Sequence, residues 1–261
     1  MQEREIIITD KSRWHGGMCI YGYDDEYNGV RPILLDETKE LRGLPHNLVK
    51  DIKPFQRVKF RFISSLPSPP HTEDWLMDES YFPKITGELP ENERKVFLEK
   101  ILFPSLKGDH WGTEIRFYHS RSTNIDTPYI EPGEGKRSII TIKPQKISFV
   151  KYSLDIAEDS GKQKEEIRVE FTDMKGEVYY LKVTDLRFRE YCDILKRQGL
   201  SDGSIGINLQ RKLNNSDVFL RIGTGRPFRP RESDKYYCFL FITAIYSFPN
   251  YTEIPPLKIS P

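Results

Sequence analysis

Hydrophobic and polar positions alternate with a period of two in many short runs of this chain, rich in aromatic and β-branched residues and bounded by Gly, Pro, Asn and Asp. Such runs predict half-buried strands, so the chain reads as mostly β with few helices. The second half is the more legible. Residues 137–143 and 146–154 predict one long strand bent at Pro144, residues 166–171 a second and residues 177–183 a third. Between the last two, TDMKGE makes a hairpin turn in which Gly176 supplies a positive φ. The period then changes. From Leu186 to Gln198 the apolar residues Leu186, Phe188, Tyr191, Ile194 and Leu195 fall mainly at three- and four-residue spacing. This predicts a helix over 186–198, with Asp185 capping its start and Gly199 its end. A polar loop and two more strands, residues 217–222 and 236–248, complete the half.

Three strands, a helix and two strands are the order of a five-stranded Greek-key OB barrel with a helix between its third and fourth strands. The first half follows the same plan less cleanly. Strands are predicted at residues 5–9, 17–24 and 30–34, a short helical turn at 47–52, and a strand at RVKFRFI, residues 57–63. From about residue 65 the alternation fails: SSLPSPPHTEDW is a Pro-rich loop, ENERKVFLEKILF a helix after Pro90, and TEIRFYH returns as the last strand of the first barrel. The expected architecture is two OB-like five-stranded Greek-key barrels. The first occupies residues 1–130 with a loop and helical insertion at about 65–112, and the second occupies residues 131–261. No sequence repeat links the halves.

Composition adds bounds. Hydrophobic residues at 37% and charged residues at 30% describe a soluble, polar globular protein. No run approaches the roughly 18 apolar residues of a membrane helix, so no membrane partner is expected. The amino terminus lacks a basic-then-apolar signal pattern, and three widely separated cysteines suit reduced thiols, so a cytoplasmic setting is expected. The net charge of +1 excludes a globally basic protein. Its distribution is mildly uneven: residues 1–130 carry 18 Lys+Arg against 21 Asp+Glu, a balance of −3, and residues 131–261 carry 22 against 18, a balance of +4.

Catalytic chemistry finds little support. His15 and Cys19 are four apart, but a structural zinc site needs a second close pair of ligands, and His46, His71, His110 and His119 are scattered. The acidic clusters YDDEY and HTEDW read as turns and solvated loops, which weakens a two-metal nuclease. There is no Gly-x-Ser-x-Gly elbow, and Cys238 lies in YYCFLFITAIY among apolar neighbours on both faces. No Walker loop occurs. No cofactor is expected.

Nucleic-acid binding is better supported. Single strands are held by cations that track phosphates and by flat side chains on which bases stack. The segment RIGTGRPFRPRESDKYY, between the last two predicted strands, supplies both: Arg221, Arg226, Arg229, Arg231 and Lys235 outnumber Glu232 and Asp234, with Phe228 among them. Near the start, TDKSRWHGGMCIYGYDD places Arg13, Trp14 and His15 on a Gly16-Gly17 turn between the first two strands of the first barrel, a loop that borders the ligand face in this fold. Trp14 reads equally as a hydrophobic cap over the barrel mouth. Arg57, Lys59 and Arg61 form a basic stripe on one strand face, which is also the ordinary condition of a solvated sheet.

The stretches IIITDKSRWHGGMCIYGYD, GVRPI, RIGTGRPF and FITAIYSFPNY, in that order, resemble the prokaryotic dual OB-containing domain family. Its members open with an apolar strand, a Ser-Arg-basic-Gly-Gly turn, a Cys-containing strand and an Arg-Pro pair, here Ser12, Arg13, Gly16, Gly17, Cys19, Arg31 and Pro32. The resemblance implies two OB barrels in one unit, nucleic-acid binding, and a setting in bacterial conflict or phage-defence loci. The expected function is therefore a non-catalytic module binding DNA or RNA through Arg13, Trp14, His15, Arg31, Arg221, Arg226, Phe228, Arg229 and Arg231. The alternatives are a protein-interaction subunit that holds a nuclease or helicase and, behind it, a metal-dependent nuclease.

Overall fold

The computed structural model describes residues 1–14, 17–156 and 163–253. Its first half runs β1 (Gln2–Trp14), β2 (Gly17–Tyr23), β3 (Gly29–Leu35), β4 (Leu41–Arg42), α1 (His46–Val49), β5 (Gln56–Ser65) and β6 (Asp74–Met77). β1 is long enough to serve two neighbours. Gln2 to Ile7 pair with β5, and Ile7 to Trp14 pair with β2. The order β1-β2-β3-β6-β5 thus returns to β1 as a closed five-stranded barrel, with β3 and β6 parallel and the other pairs antiparallel. The RVKFRFI alternation works as expected. Val58, Phe60 and Phe62 are fully buried among Ile6, Ile8, Ile20 and Val30, and Val49 of α1 joins the same cluster. Burial of such side chains contributes about 1.5 to 3 kcal/mol each, so three on one strand fix its register.

Two expectations for the middle of the chain are corrected. The strand that closes the first barrel is β6, inside the segment read as a Pro-rich, solvated loop. Its four residues are too few for an alternating pattern, and Asp74 hides it further, because this carboxylate is buried by ion pairing rather than by apolar character. TEIRFYH does form a strand, but in the other half: β9 (Arg116–Ser120) pairs with β10 (Ile125–Ile130). Before them come β7 (Lys84–Glu88), which pairs with β5, then α2 (Glu91–Lys100) and β8 (Leu102–Phe103).

The second half runs β11 (Ile139–Ile142), β12 (Lys146–Ile156), β13 (Gln163–Thr172), β14 (Val178–Lys182), α3 (Leu186–Arg197), α4 (Asp202–Asn214), β15 (Asp217–Thr224) and β16 (Cys238–Phe248). The chain bends between β11 and β12 at Pro144. β12-β13-β14 form one sheet, and β8-β11-β15-β16-β10-β9 form another. A parallel bridge from Val183 to Ile242 joins them past the end of β14, so both enclose one core containing Ile142, Val150, Val169, Leu181, Ile222 and Leu240. This is the OB strand order with extra strands on both edges of the second sheet, β8 beside β11 and β10-β9 beside β16. The turn before β14 holds Gly176 at φ +84°, Asp185 caps α3 through the amides of Arg187 and Phe188, and Gly199 follows the helix at φ +90°.

α4 lies where a polar loop was expected. Its sequence, DGSIGINLQRKLN, carries two glycines, which ordinarily weaken a helix by about 1 kcal/mol each. One of them is required by packing: a Cβ on Gly206 would sit 2.3 Å from the Val150 carbonyl oxygen. Close contact with β12 stabilises a helix that local propensity disfavours, and Ile205, Leu209 and Leu213 complete its buried face.

The two halves pack against each other. Ile7, Tyr21 and Tyr23 of the first barrel meet Ile139, Phe219 and Tyr246 of the second, with Phe97 and Leu98 of α2 in the same cluster. A fully buried ion pair crosses the joint. Asp10 sits at a register shift in β1 and Arg221 at a register shift in β15, and such bulges re-aim side chains. Both Nε and Nη2 of Arg221 donate to Asp10 Oδ2, at 3.0 and 2.9 Å. Nη1 donates to Tyr23 Oη at 2.9 Å and to Thr141 Oγ1 at 2.7 Å.

Candidate nucleic-acid interface

Period two decides which way each residue of β15 points. Leu220 and Ile222 enter the core of the second barrel, so Phe219 and Arg221 face the first. Arg221 is fully buried and corrects the expectation that it contacts nucleic acid. After Thr224 the chain leaves the sheet. Gly225 N donates to Phe239 O at 2.7 Å, and Phe228 and Tyr237 exchange backbone hydrogen bonds of 3.0 and 2.9 Å, which pin both ends of the loop. The stretch between stands out from the barrel. Its Glu232 carboxylate accepts from the amides of Arg121 and Ser122 at 3.0 and 3.2 Å, anchoring the loop to the β9–β10 hairpin. Arg229 and Arg231 are exposed, and the Arg229 guanidinium lies 5.9 Å from the Tyr236 ring centroid.

This loop of the second barrel reaches the end of β1 in the first. Between them lies a cleft of about 340 Å³ lined by Arg13, Trp14, Cys19, Arg31, His71, Arg226 and Phe228 among others. Arg13 is exposed and Phe228 is 59% exposed at its mouth. The Arg226 guanidinium lies 4.8 Å from the Trp14 ring centroid, within cation–π range. Arg226 Nη2 is 2.7 Å from Asp74 Oδ2, and Arg31 Nη1 is 3.1 Å from Asp74 Oδ1. One buried carboxylate thus holds two guanidinium groups.

The cleft gathers five of the nine expected residues: Arg13, Trp14, Arg31, Arg226 and Phe228. Arg31 is corrected in role. At 3% exposure it forms the closed end of the cleft rather than an open contact surface, because its Nη2 also donates to Ser138 Oγ of the second half. Arg229 and Arg231 stand outside on the loop, and His15 lies outside the described residues. Asp74 and His71 escaped sequence reasoning, since both sit in HTEDW, whose acidic letters resemble a solvated turn. The Arg57 and Arg61 stripe is neutralised: Arg57 pairs with Asp25 at 3.0 Å and Arg61 with Glu3 at 3.0 Å.

The titratable groups of the cleft are tuned away from proton transfer. Burial pushes the His71 imidazole well below its ordinary value, with Arg31 and Arg226 adding to the effect, so it stays neutral with Nε2 3.3 Å from Thr224 O. Burial also raises the Cys19 thiol, against the opposing pull of the two arginines, which keeps it protonated. The same desolvation lowers Arg226, countered by Asp74. Among the described residues no group of three or more His, Cys, Asp or Glu is placed to hold a metal ion, and no helix is long and apolar enough to cross a membrane.

Two joined OB barrels are also what comparison with known families gives, because the model of the dual OB-containing domain matches residues 4–245. The chain belongs to the dual OB-containing domain family. No protein of curated function matches it. Among solved structures, a chain of a Replication Protein A heterotrimer bound to ssDNA is similar at 8% identity and a TM-score of 0.35. That alignment covers 86% of this chain and 44% of the other, so this dual OB chain spans less than half the length of its neighbour.

Proposed function

We propose that this dual OB-containing protein is a nucleic-acid-binding module that performs no catalysis itself, with its contact surface at the junction of the two barrels. One observation carries the reading: the end of β1 in one barrel and the β15–β16 loop of the other converge on a single cleft lined by three arginines, Trp14 and Phe228. In a single OB barrel the loops after the first and fourth strands flank the ligand face. Here one such loop comes from each barrel. The exposed Arg13, Arg229 and Arg231 supply phosphate-tracking charge around the mouth, and Phe228 supplies a stacking surface. A binding role also suits the neutral, buried His71 and the protonated Cys19, neither of which is poised as a base or nucleophile. The bacterial defence setting is part of this reading and rests on the family resemblance alone.

A second reading, a scaffolding subunit holding a nuclease or helicase, is favoured by a groove of about 320 Å³ between the β9–β10 hairpin and β14, where Phe117 and Val178 are exposed. Electrophoretic shifts with single-stranded and duplex DNA and RNA at several salt concentrations separate the two. The binding reading requires a complex whose affinity falls as salt rises. Absence of any shift at low salt, together with capture of a protein partner, would establish the scaffolding reading instead.

A further inference from the structure

The cleft at the barrel junction has a depth and a wall that a strand-tracking groove does not need. Its inner end is closed. Arg31 and His71, each 3% exposed, form the floor, and behind them Asp74 and Ser138 are fully buried. A ligand therefore enters from the open side and meets this floor. About 340 Å³ lies at the small end of the roughly 300 to 1,000 Å³ typical of small-molecule sites, room for one base with its sugar and phosphate. The wall is equally selective. Trp14, Phe228 and Phe241 contribute rings, three arginines outnumber the buried carboxylates of Asp74 and Glu73, and among the described residues no carboxylate lines the surface, because Asp74 is withdrawn behind Arg31 and Arg226. Flat apolar faces at one part of a floored cleft and guanidinium groups at another match an aromatic base that carries an anion.

We infer that this pocket seats a single nucleotide unit, its base against Phe228 and Trp14 and its phosphate on Arg13 and Arg226. The inference rests on the nucleic-acid reading above and deepens it. A strand would deliver one nucleotide at a time, from an end or an unpaired position turned out of its stack. Unstacking costs a few kcal/mol and is cheapest where a base is already unpaired, so the protein would select strand ends and unpaired sites over continuous duplex. A free nucleoside monophosphate has the same chemistry and is the second possible source. Arg31 has a further part to play: its buried Nε–H has no acceptor among the described residues, and a polar atom at the closed end of a bound base would supply one.

The test measures affinities of the full chain for three probes: a blunt linear duplex with every base paired, the same duplex with one unpaired 2-aminopurine nucleotide, and adenosine monophosphate alone. The expected result is a preference of at least tenfold for the duplex with the unpaired nucleotide over the blunt one, with quenching of 2-aminopurine fluorescence on stacking. Phe228→Ala should weaken that complex about 5- to 150-fold, the loss of one stacked base. Because Phe228 is mostly exposed, this variant keeps its fold, and its melting temperature verifies that. Equal affinity for the two duplexes, or unchanged quenching in Phe228→Ala, would overturn the single-nucleotide inference while leaving nucleic-acid binding intact. Binding of the monophosphate alone, sensitive to Phe228→Ala, would support the nucleotide pocket and remove the nucleic-acid reading. Binding of none of the three would end the single-nucleotide inference, and the shift experiment with single strands would then decide the nucleic-acid reading.

Discussion

Replacing Arg221 by Ala removes a fully buried ion pair that spans the barrel joint. Four partners lose a donor: Asp10, which accepts two hydrogen bonds from it, Tyr23, Thr141 and Thr9. Asp10 keeps hydrogen bonds from Thr9 Oγ1 at 2.8 Å and Thr243 Oγ1 at 2.6 Å, but its charge is left buried at 2% exposure without a countercharge. Breaking one side of a buried pair costs about 3 to 5 kcal/mol. For a folding unit of this size each kcal/mol shifts the midpoint by roughly 2 to 4 °C, so the variant should melt roughly 6 to 20 °C lower. The double variant Arg221→Met with Asp10→Leu removes both charges and should recover most of the loss, since an apolar pair of similar volume is often neutral. Differential scanning fluorimetry reads the stability, and oligonucleotide affinity of the folded fraction should stay near that of the parent. A melting temperature within 2 °C of the parent, or a selective loss of affinity without loss of stability, would refute the reasoning and return Arg221 to the binding surface.

His71 predicts a pH dependence of known sign. Its pKa is depressed in the folded protein, so as pH falls below about 6.5 the unfolded chain takes up a proton that the folded chain does not, and stability falls by about 1.4 kcal/mol per pH unit down to the folded-state pKa. Denaturant melts between pH 7 and pH 5 should show this slope in the parent and a shallower one in His71→Asn; equal slopes would contradict it. Arg57→Ala and Arg61→Ala should each change stability by no more than about 1 kcal/mol, because their ion pairs are solvated, and should leave oligonucleotide affinity within twofold. A larger loss of affinity would make that stripe part of the interface.

How much of this was legible depends on what each residue faces. Where one side of an element met an apolar core and the other met water, period alone sufficed: Val58, Phe60 and Phe62 against Arg57, Lys59 and Arg61, or Phe188, Tyr191 and Leu195 in α3. Where polar groups were buried by pairing with distant residues, it misled. Asp74 hid β6, and Arg221 looked like a surface cation although its partner lies 211 positions away. α4 was lost because the contact that justifies Gly206 is made to β12 and leaves no local trace. The interface was half visible: the turn at Arg13 and Trp14 and the loop at Arg226 and Phe228 each carried cationic and aromatic residues. Their meeting across the joint follows only from the way the barrels pack.

The central claim is that this junction binds nucleic acid, and one measurement addresses it: the salt dependence of affinity for a single-stranded oligonucleotide, parent against Arg13→Ala with Arg229→Ala. Both arginines are exposed, so the double variant should keep its stability. If each tracks one phosphate, the log–log slope of affinity against salt should flatten by about 1.4, at roughly 0.7 per phosphate lost, with weaker binding at low salt across all sequences. An identical slope and affinity in parent and variant would contradict a nucleic-acid interface at the junction of the two barrels.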